Sequence, residues 1–244
     1  YMTQQGVLWQ GEWRQRLANG QYSVNISAID QDVRDLPGTP TADLDGWRGS
    51  LQTRGLFSLS SWWKFGWDIT LESDDQFRRF YRLDSILLTD RVNQIFLTGQ
   101  SDRNYFSARM YHFGGLLLND TAQAESYTHP IIDYNYVFAD PILGGELKWD
   151  TNFLSFTRQN GATSLDGTIK RDQDIQRLTT EMKWRRRFTD QIGITYTPSA
   201  NLRADAYQFD DFTDPESVAV AGGVVTAKTL TSSDTTLRGM ATGG

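Results

Sequence analysis

The sequence predicts an all-β chain, an antiparallel up-and-down transmembrane β-barrel, with about 11 strands covered as a fragment of a larger barrel. Three observations predict it. Apolar and charged residues alternate with period two, and a strand sends successive side chains to opposite faces. The connections between the alternating stretches are short and long in turn. The stretches run roughly nine to twelve residues, which suits a tilted strand crossing a bilayer and exceeds the ordinary strand of about five or six.

The pattern is clearest from His129 to Arg158. Ile132, Tyr134, Tyr136 and Phe138 share one parity, and Asp133 and Asn135 take the other. Beyond Asp140 to Gly144 the code resumes, with Leu147, Trp149 and Phe153 against Glu146, Lys148, Asp150 and Asn152. Two physical solutions fit. A soluble sandwich turns the greasy face to a core and the charged face to water. A membrane barrel turns the greasy face to lipid and the charged face to a wet lumen.

Composition narrows the classes. The chain has 244 residues, room for one large all-β unit or two small domains. Hydrophobic residues make up 39% and mean hydropathy is -0.50, which excludes a helical membrane protein but not a barrel, where every second residue meets lipid. Eight Trp and ten Tyr suit interfacial aromatic girdles, and also carbohydrate-binding β-proteins. A net charge of -6 argues against a nucleic-acid partner. With no cysteine there is neither a disulfide framework nor thiolate chemistry. Tyr1 opens no signal peptide, so either one was removed or the chain is an internal piece.

Taken in order, Gly6 to Leu17 is the first strand, with Val7, Trp9, Gly11, Trp13 and Leu17 facing one way and Gln10, Glu12, Arg14 and Arg16 the other. Ala18-Asn19-Gly20 is a hairpin turn signal, because Asn-Gly accepts positive φ cheaply. Gln21 to Asp30 returns with Tyr22, Val24, Ile26 and Ala28 apolar, and a polar loop with Pro37 and Pro40 follows. Trp47 to Ser58 alternates Trp47, Leu51 and Phe57 with Arg48, Gln52 and Arg54. Lys64 to Ser73 alternates Phe65, Trp67, Ile69 and Leu71 with Asp68, Thr70 and Glu72. Asp74 to Asp84 is a loop in which Asp74 or Asp75 caps a short helix over Gln76 to Tyr81.

Asp90 to Gln100 and Asn104 to Phe113 form a hairpin, although Phe96 falls on the parity opposite Ile95 and Leu97. After the central hairpin and a polar loop, Ile175 to Phe188 sets Leu178, Met182, Trp184 and Phe188 against Arg177, Glu181, Lys183 and Arg185. Thr189-Asp190 turns the chain into Gln191 to Phe209, where Ile192, Ile194 and Tyr196 share a face and Pro198 interrupts the ladder. Asp210 to Ser233 is a long loop in which Val218 to Val225 is apolar enough for a further strand. A last strand begins near Thr235.

Segregated long and short connections are what a barrel with short periplasmic turns and long external loops produces, and a Greek-key sandwich has no reason for them. Bacterial single-chain barrels have even strand numbers, so an odd count marks an internal segment. Residues 1–244 are expected to be part of one transmembrane β-barrel domain.

The residues DRVNQIFLTGQSDRNYF from Asp90, HPIIDYNYVFADPILGGELKWDTNFLSFTR from His129, Arg177-Leu178 with Trp184, LRADAY from Leu202 and the closing LRGMATGG resemble the C-terminal barrel of the LPS-assembly protein LptD, the organic-solvent-tolerance family, in an alphaproteobacterial form. The likeness runs from about Gly6 to the end and rests on strand patterns, not on a catalytic signature. It implies a bacterial outer-membrane protein, with a periplasmic jellyroll ahead of a very large barrel. It also implies lipopolysaccharide that arrives by a periplasmic bridge and leaves laterally into the outer leaflet, and an LptE-like lipoprotein plug in the lumen. The jellyroll, the closing strands and the cysteines of some members are not expected in this stretch. No functional residue of the family carries over to a numbered position.

The chemistry is that of surfaces. His112 and His129 lack partners for a dyad or a metal site, and no Ser and His share the spacing an outer-membrane phospholipase needs; no catalytic residue, cofactor or metal is expected. Asp74-Asp75, Asp210-Asp211 and Asp214 lie in external loops, where solvated acids outweigh cation bridges to lipid phosphates. Arg185-Arg186-Arg187 reads first as alternating lumen and interface arginines and second as a lipid-phosphate contact. The expected lumen-facing set is Glu12, Arg14, Arg16, Arg48, Arg54, Asp68, Glu72, Asp133, Glu146, Lys148, Asp150, Glu181, Lys183 and Arg185. Its mixed signs suit a plugged lumen more than the single-sign ring of an ion-selective pore. Trp9, Trp13, Trp67, Tyr134, Tyr136, Trp149 and Trp184 are expected to face outer-membrane lipid, in preference to stacking on sugars. Three functions follow: non-enzymatic lipopolysaccharide transport and assembly at the outer leaflet, a porin-like transporter, or a soluble carbohydrate-binding β-protein.

Overall fold

The computed structural model describes residues 6–31, 46–74, 77–83, 90–115, 126–158, 173–212, 218–221, 224–227 and 232–243. Its strands are β1 (Trp9–Leu17), β2 (Gly20–Gln31), β3 (Gly46–Ser58), β4 (Trp63–Glu72), β5 (Asp90–Ser101), β6 (Asn104–Gly115), β7 (Ser126–Val137), β8 (Glu146–Arg158) and β9 (Gln173–Arg185). Then come β10 (Phe188–Thr189), β11 (Thr195–Tyr196), β12 (Ser199–Phe212), β13 (Val218–Ala221), β14 (Val224–Ala227) and β15 (Ser232–Gly243). One short helix, α1 (Phe77–Phe80), lies between β4 and β5.

Eleven strands form the main sheet, and their order is the order of the chain: β1 to β9, then β12, then β15. This is the antiparallel up-and-down topology. Connections at one end run over 18–19, 59–62, 102–103, 138–145 and 186–198; those at the other run over 32–45, 73–89, 116–125, 159–172 and 213–231. Two compact units divide the described residues, one within 1–96 and 111–125 and the other within 97–110 and 126–244.

In the first unit, β1 pairs with β2 from Trp9↔Ala28 to Leu17↔Gly20. β2 pairs with β3 from Gly20↔Phe57 to Gln31↔Gly46, and β3 with β4 from Ser50↔Glu72 to Ser58↔Lys64. Period two makes these registers unambiguous, since a slip of one residue would move every tryptophan to the charged face. The buried apolar cluster of the described residues is small, comprising Ile29, Phe77 and Tyr81, with Leu8, Phe80 and Leu83 against it. Ile29 stands opposite Arg48, so this cluster belongs to the charged face and α1 covers part of it. Phe96 breaks the parity of its strand because it lies against Gly66, where a Cβ would run into its ring.

In the second unit, β7 pairs with β8, with a break in register between Thr128 and Ile131. The strand begins ahead of the expected Pro130, and the break falls on that proline, which has no N–H for the ladder. The 138–145 turn closes with paired bonds between Ile142 and Gly145, of 2.9 and 3.0 Å, over Leu143 and Gly144 at φ 53° and 72°. Two positive φ values in succession are what a type I′ hairpin turn requires.

Two expectations need correction. The strand expected from Ile175 to Phe188 ends at Arg185, and Thr189-Asp190 does not turn it into the next ladder. Residues 186–198 instead form a separate small hairpin of β10 and β11, and Ile192 lies in its turn, 85% exposed. Asp190 organises that turn: its Oδ1 accepts from the amides of Ile192 and Ile194, both at 2.9 Å, while Gly193 supplies φ 92°. Val218 to Val225 is a hairpin of β13 and β14, not one further strand, and Gly222-Gly223 lies between its arms in the sequence. Of the two cap candidates for α1, Asp74 has its carboxylate bonded to Arg48 and its carbonyl accepting the Phe77 amide at 3.2 Å. Asp75 lies outside the described residues.

Candidate functional site: a charged face opposite an aromatic one

The registers gather the candidate residues. In the first unit, Glu12, Arg14 and Arg16 of β1, Arg48 and Arg54 of β3 and Asp68 and Glu72 of β4 share one face. Trp9, Trp13 and Trp67 lie on the other. In the second unit, Asp133, Glu146, Lys148, Asp150, Glu181, Lys183 and Arg185 share one face, and Tyr134, Tyr136, Trp149 and Trp184 the opposite one.

The charged face of the first unit carries a folded-in segment. Arg48, 6% exposed, grips Asp74 through Nε to Oδ2 at 2.8 Å and Nη2 to Oδ1 at 2.7 Å. Its guanidinium carbon also lies 5.6 Å from the Phe77 ring and 5.9 Å from the Tyr81 ring, a cation over two aromatic rings. Arg78, 5% exposed, donates Nη1 to Ser50 Oγ at 3.1 Å, and its amide donates to Glu72 Oε2 at 3.1 Å. Arg91 pairs with the same glutamate. Residues 73–74 and 77–83 are therefore strapped onto the charged face, and the Asp74 carboxylate is held by an arginine. Farther along, Arg54 Nε reaches both oxygens of Asp68 at 3.0 Å, an exposed and screened pair.

The second unit carries a ladder of alternating signs. Glu146 sits between Arg103 and Arg185, the latter at 2.9 Å. Asp150 meets Lys148 at 3.1 Å and Lys183 at 3.5 Å, and Lys183 turns to Glu181 at 2.9 Å. Glu181 accepts from Asn201, and Asp205 accepts from Thr179 at 2.7 Å and pairs with Arg203 at 2.9 Å. Asn152 bridges Arg177 and Asp133, at 2.9 and 2.7 Å. Opposite charges alternate along the strands and across them, as in Lys183 between Glu181 and Asp150, so the described charges of this face form no ring of one sign. Sequence reasoning missed Arg103, Asn201, Arg203 and Asp205. The last two were legible in Leu202-Arg203-Ala204-Asp205-Ala206-Tyr207, which alternates like the strands before it.

The opposite face is apolar and open. Trp9 is 68% exposed, Trp13 59% and Leu202 60%, far more apolar surface than a water-soluble monomer displays. Three of its indole N–H groups are satisfied within the protein. Trp67 donates its indole N–H to Thr53 at 3.0 Å, Trp149 to Thr180 at 2.8 Å and Trp184 to the Ile142 carbonyl at 2.7 Å. The rings interlock: Trp67 stacks on Phe57 at 5.7 Å, and Trp149 meets Tyr134 edge-on at 5.8 Å.

Of the remaining candidates, His129 Nε2 lies 3.4 Å from Thr157 Oγ1. Among the described residues no three His, Cys, Asp or Glu side chains are placed to hold a metal. Asp210 and Asp211 lie in β12, but their side chains, like Asp214 altogether, are outside the described residues. Arg185 stays with Glu146 on the charged face, while Arg186 turns to the Leu143 carbonyl at 3.3 Å. No helix among the described residues is long and apolar enough to cross a membrane, which says nothing of strands.

A comparison with curated proteins finds no match. A protein-family comparison does: the family described as LptD, LPS transport system D, matches residues 46–243, from β3 through β15. Strands that alternate, pair in chain order and segregate charge from aromatics agree with that match, and the chain belongs to the LptD family, outer-membrane β-barrel proteins of lipopolysaccharide transport.

Proposed function

We propose that residues 1–244 belong to one transmembrane β-barrel domain whose charged face lines the lumen and whose aromatic face meets outer-membrane lipid. Family membership makes lipopolysaccharide the cargo and the outer membrane the location. On this reading the chain works without catalysis, by lining a path for an amphipathic molecule whose charged headgroup needs water while its acyl chains do not. An LptE-like lipoprotein seats against the charged face, where ion pairs of both signs offer it partners.

The observation that carries the reading is the segregation itself. All fourteen candidate lumen residues fall on one face of their units and all seven aromatic candidates on the other. A photocrosslinking amino acid placed in turn at Glu146, Asp150, Lys183, Trp13 and Leu202 of the full-length protein in cells tests it. Lipopolysaccharide or the lipoprotein should be captured from the first three positions, and phospholipid or no partner from the last two. The reverse pattern would turn the barrel inside out. Ion conductance without lipopolysaccharide capture would favour a porin, and a monodisperse protein without detergent would end the membrane reading.

A further inference from the structure

At the short-connection end of the second unit, four arginines meet around one open cleft of about 740 Å³: Arg103, Arg185, Arg186 and Arg187. Glu146 is the one acid in its lining, and Arg103 and Arg185 already hold it. The cleft therefore carries a positive excess. Arg186 is seated, not loose. Its guanidinium lies on Gly144, where an added Cβ would come within 3.0 Å of Cζ, and one N–H is used by the Leu143 carbonyl. Trp184 pins the same turn by its bond to the Ile142 carbonyl, and Gly145 leaves room for its ring. Arg187 makes no ion pair among the described residues. Two arginines thus hold most of their donors toward the cleft.

The lining also includes Phe138, Ala139 and Pro141. The two turns that supply it have apolar tips: Leu143, next to Gly144, is 81% exposed, and Ile192, in the 186–198 hairpin with Thr195 and Thr197, is 85% exposed. Greasy tips next to unspent guanidinium groups form an amphipathic rim, apolar toward acyl chains and cationic toward headgroups. A planar guanidinium binds phosphate through two parallel bonds, a geometry that lysine cannot match.

We infer that the Arg186–Arg187 cleft binds the phosphate of a phospholipid from the periplasmic leaflet, seating this end of the barrel in the membrane. The inference rests on the reading above for the direction of the aromatic face and on short connections lying on the periplasmic side. The committed ligand is the phospholipid, because Leu143 and Ile192 lie outside the lumenal ladder and favour an amphiphile over free phosphate.

The test uses the full-length protein, purified with its partners in detergent and delipidated. Phosphatidylglycerol is titrated in and the bound lipid is read by native mass spectrometry, with wild type, R186A/R187A and R186K/R187K compared. The alanine pair should weaken binding about tenfold or more, the loss of one strong charge-assisted contact, and the lysine pair should recover only part of it. Equal affinity for all three proteins overturns the inference. So does inorganic phosphate that displaces the lipid at comparable concentration, or an equal loss of added lipopolysaccharide, which would place the cleft on the cargo path. Heat-modifiable migration on gels, the mark of a folded barrel, is recorded for each protein. If it is absent from wild type, the membrane reading fails, whereas its presence with unchanged lipid affinity sinks this inference alone.

Discussion

Replacing Arg48 by alanine should release the strap of residues 73–74 and 77–83 from the charged face while leaving the strands in place. Removing one partner of a buried ion pair costs about 3–5 kcal/mol when the survivor stays dry. Asp74 does not stay fully dry. Its side chain is 25% exposed and Ser73 Oγ still donates to it at 3.0 Å, so roughly half of that figure, ~2 kcal/mol, is expected. Loss of the cation above Phe77 and Tyr81 adds about 0.5–2 kcal/mol. The sum shifts the ratio of docked to released strap by a factor of about 60 or more. The ladder around Arg48 is backbone, from Ile29↔Arg48 to Ser50↔Glu72, and no part of it depends on the guanidinium.

Hydrogen exchange read by mass spectrometry on the detergent-folded protein separates the two layers. Peptides over 77–83 should lose protection in R48A, and peptides over β2 and β3 should keep it. R48K, which retains charge but not the fork, should fall between. Unchanged protection over 77–83 would refute the argument and leave the hold to the apolar cluster of Ile29, Phe77 and Tyr81. Collapse of β3 protection would refute it too, by making Arg48 a determinant of the sheet.

Other consequences follow from single residues. Gly55→Ala should destabilise the barrel by ~1–3 kcal/mol in urea unfolding, because the added Cβ collides with the Trp67 ring, whereas Gly11→Ala, with open space around it, should be neutral or gain up to ~1 kcal/mol. Equal effects would disprove the seating of Trp67 on Gly55. Asp190, in the 186–198 connection, is held below the ordinary carboxylate range by the Ile194 amide first, then by the Ile192 amide and the Tyr196 hydroxyl. A depressed pKa means that its contribution is complete above the unfolded value and lost as pH falls through the folded one. Amide exchange at Ile192 and Ile194 should therefore quicken on acidification in wild type, beyond the intrinsic pH trend, and show no such step in D190N.

Much of the strand pattern was legible because a period of two is a local property. Tyr134 and Asp133 declare their faces whatever the rest of the chain does, and a register that kept tryptophans together could be read without coordinates. Turn chemistry located the first hairpin at Ala18-Asn19-Gly20 but not its geometry, since Leu17 pairs with Gly20 and neither Asn19 nor Gly20 takes a positive φ. It failed at 186–198, because Asp190 acts through side-chain bonds to Ile192 and Ile194 and not through the dipeptide signals that sequence reading uses. Phe96 was misaligned in the sequence for a similar reason, since its place depends on a glycine in another strand.

By itself the sequence determined that the chain is a set of two-faced antiparallel strands and, outside the Asp90–Phe113 hairpin, which face of each is charged. Only the tertiary structure decided which charges meet. Arg48 and Asp74 are 26 positions apart, and Glu146 draws Arg103 and Arg185 from about 40 on either side. A side chain's parity follows from its own backbone, but its partner follows from strand register and from how a connection folds back, and neither is written in neighbouring residues.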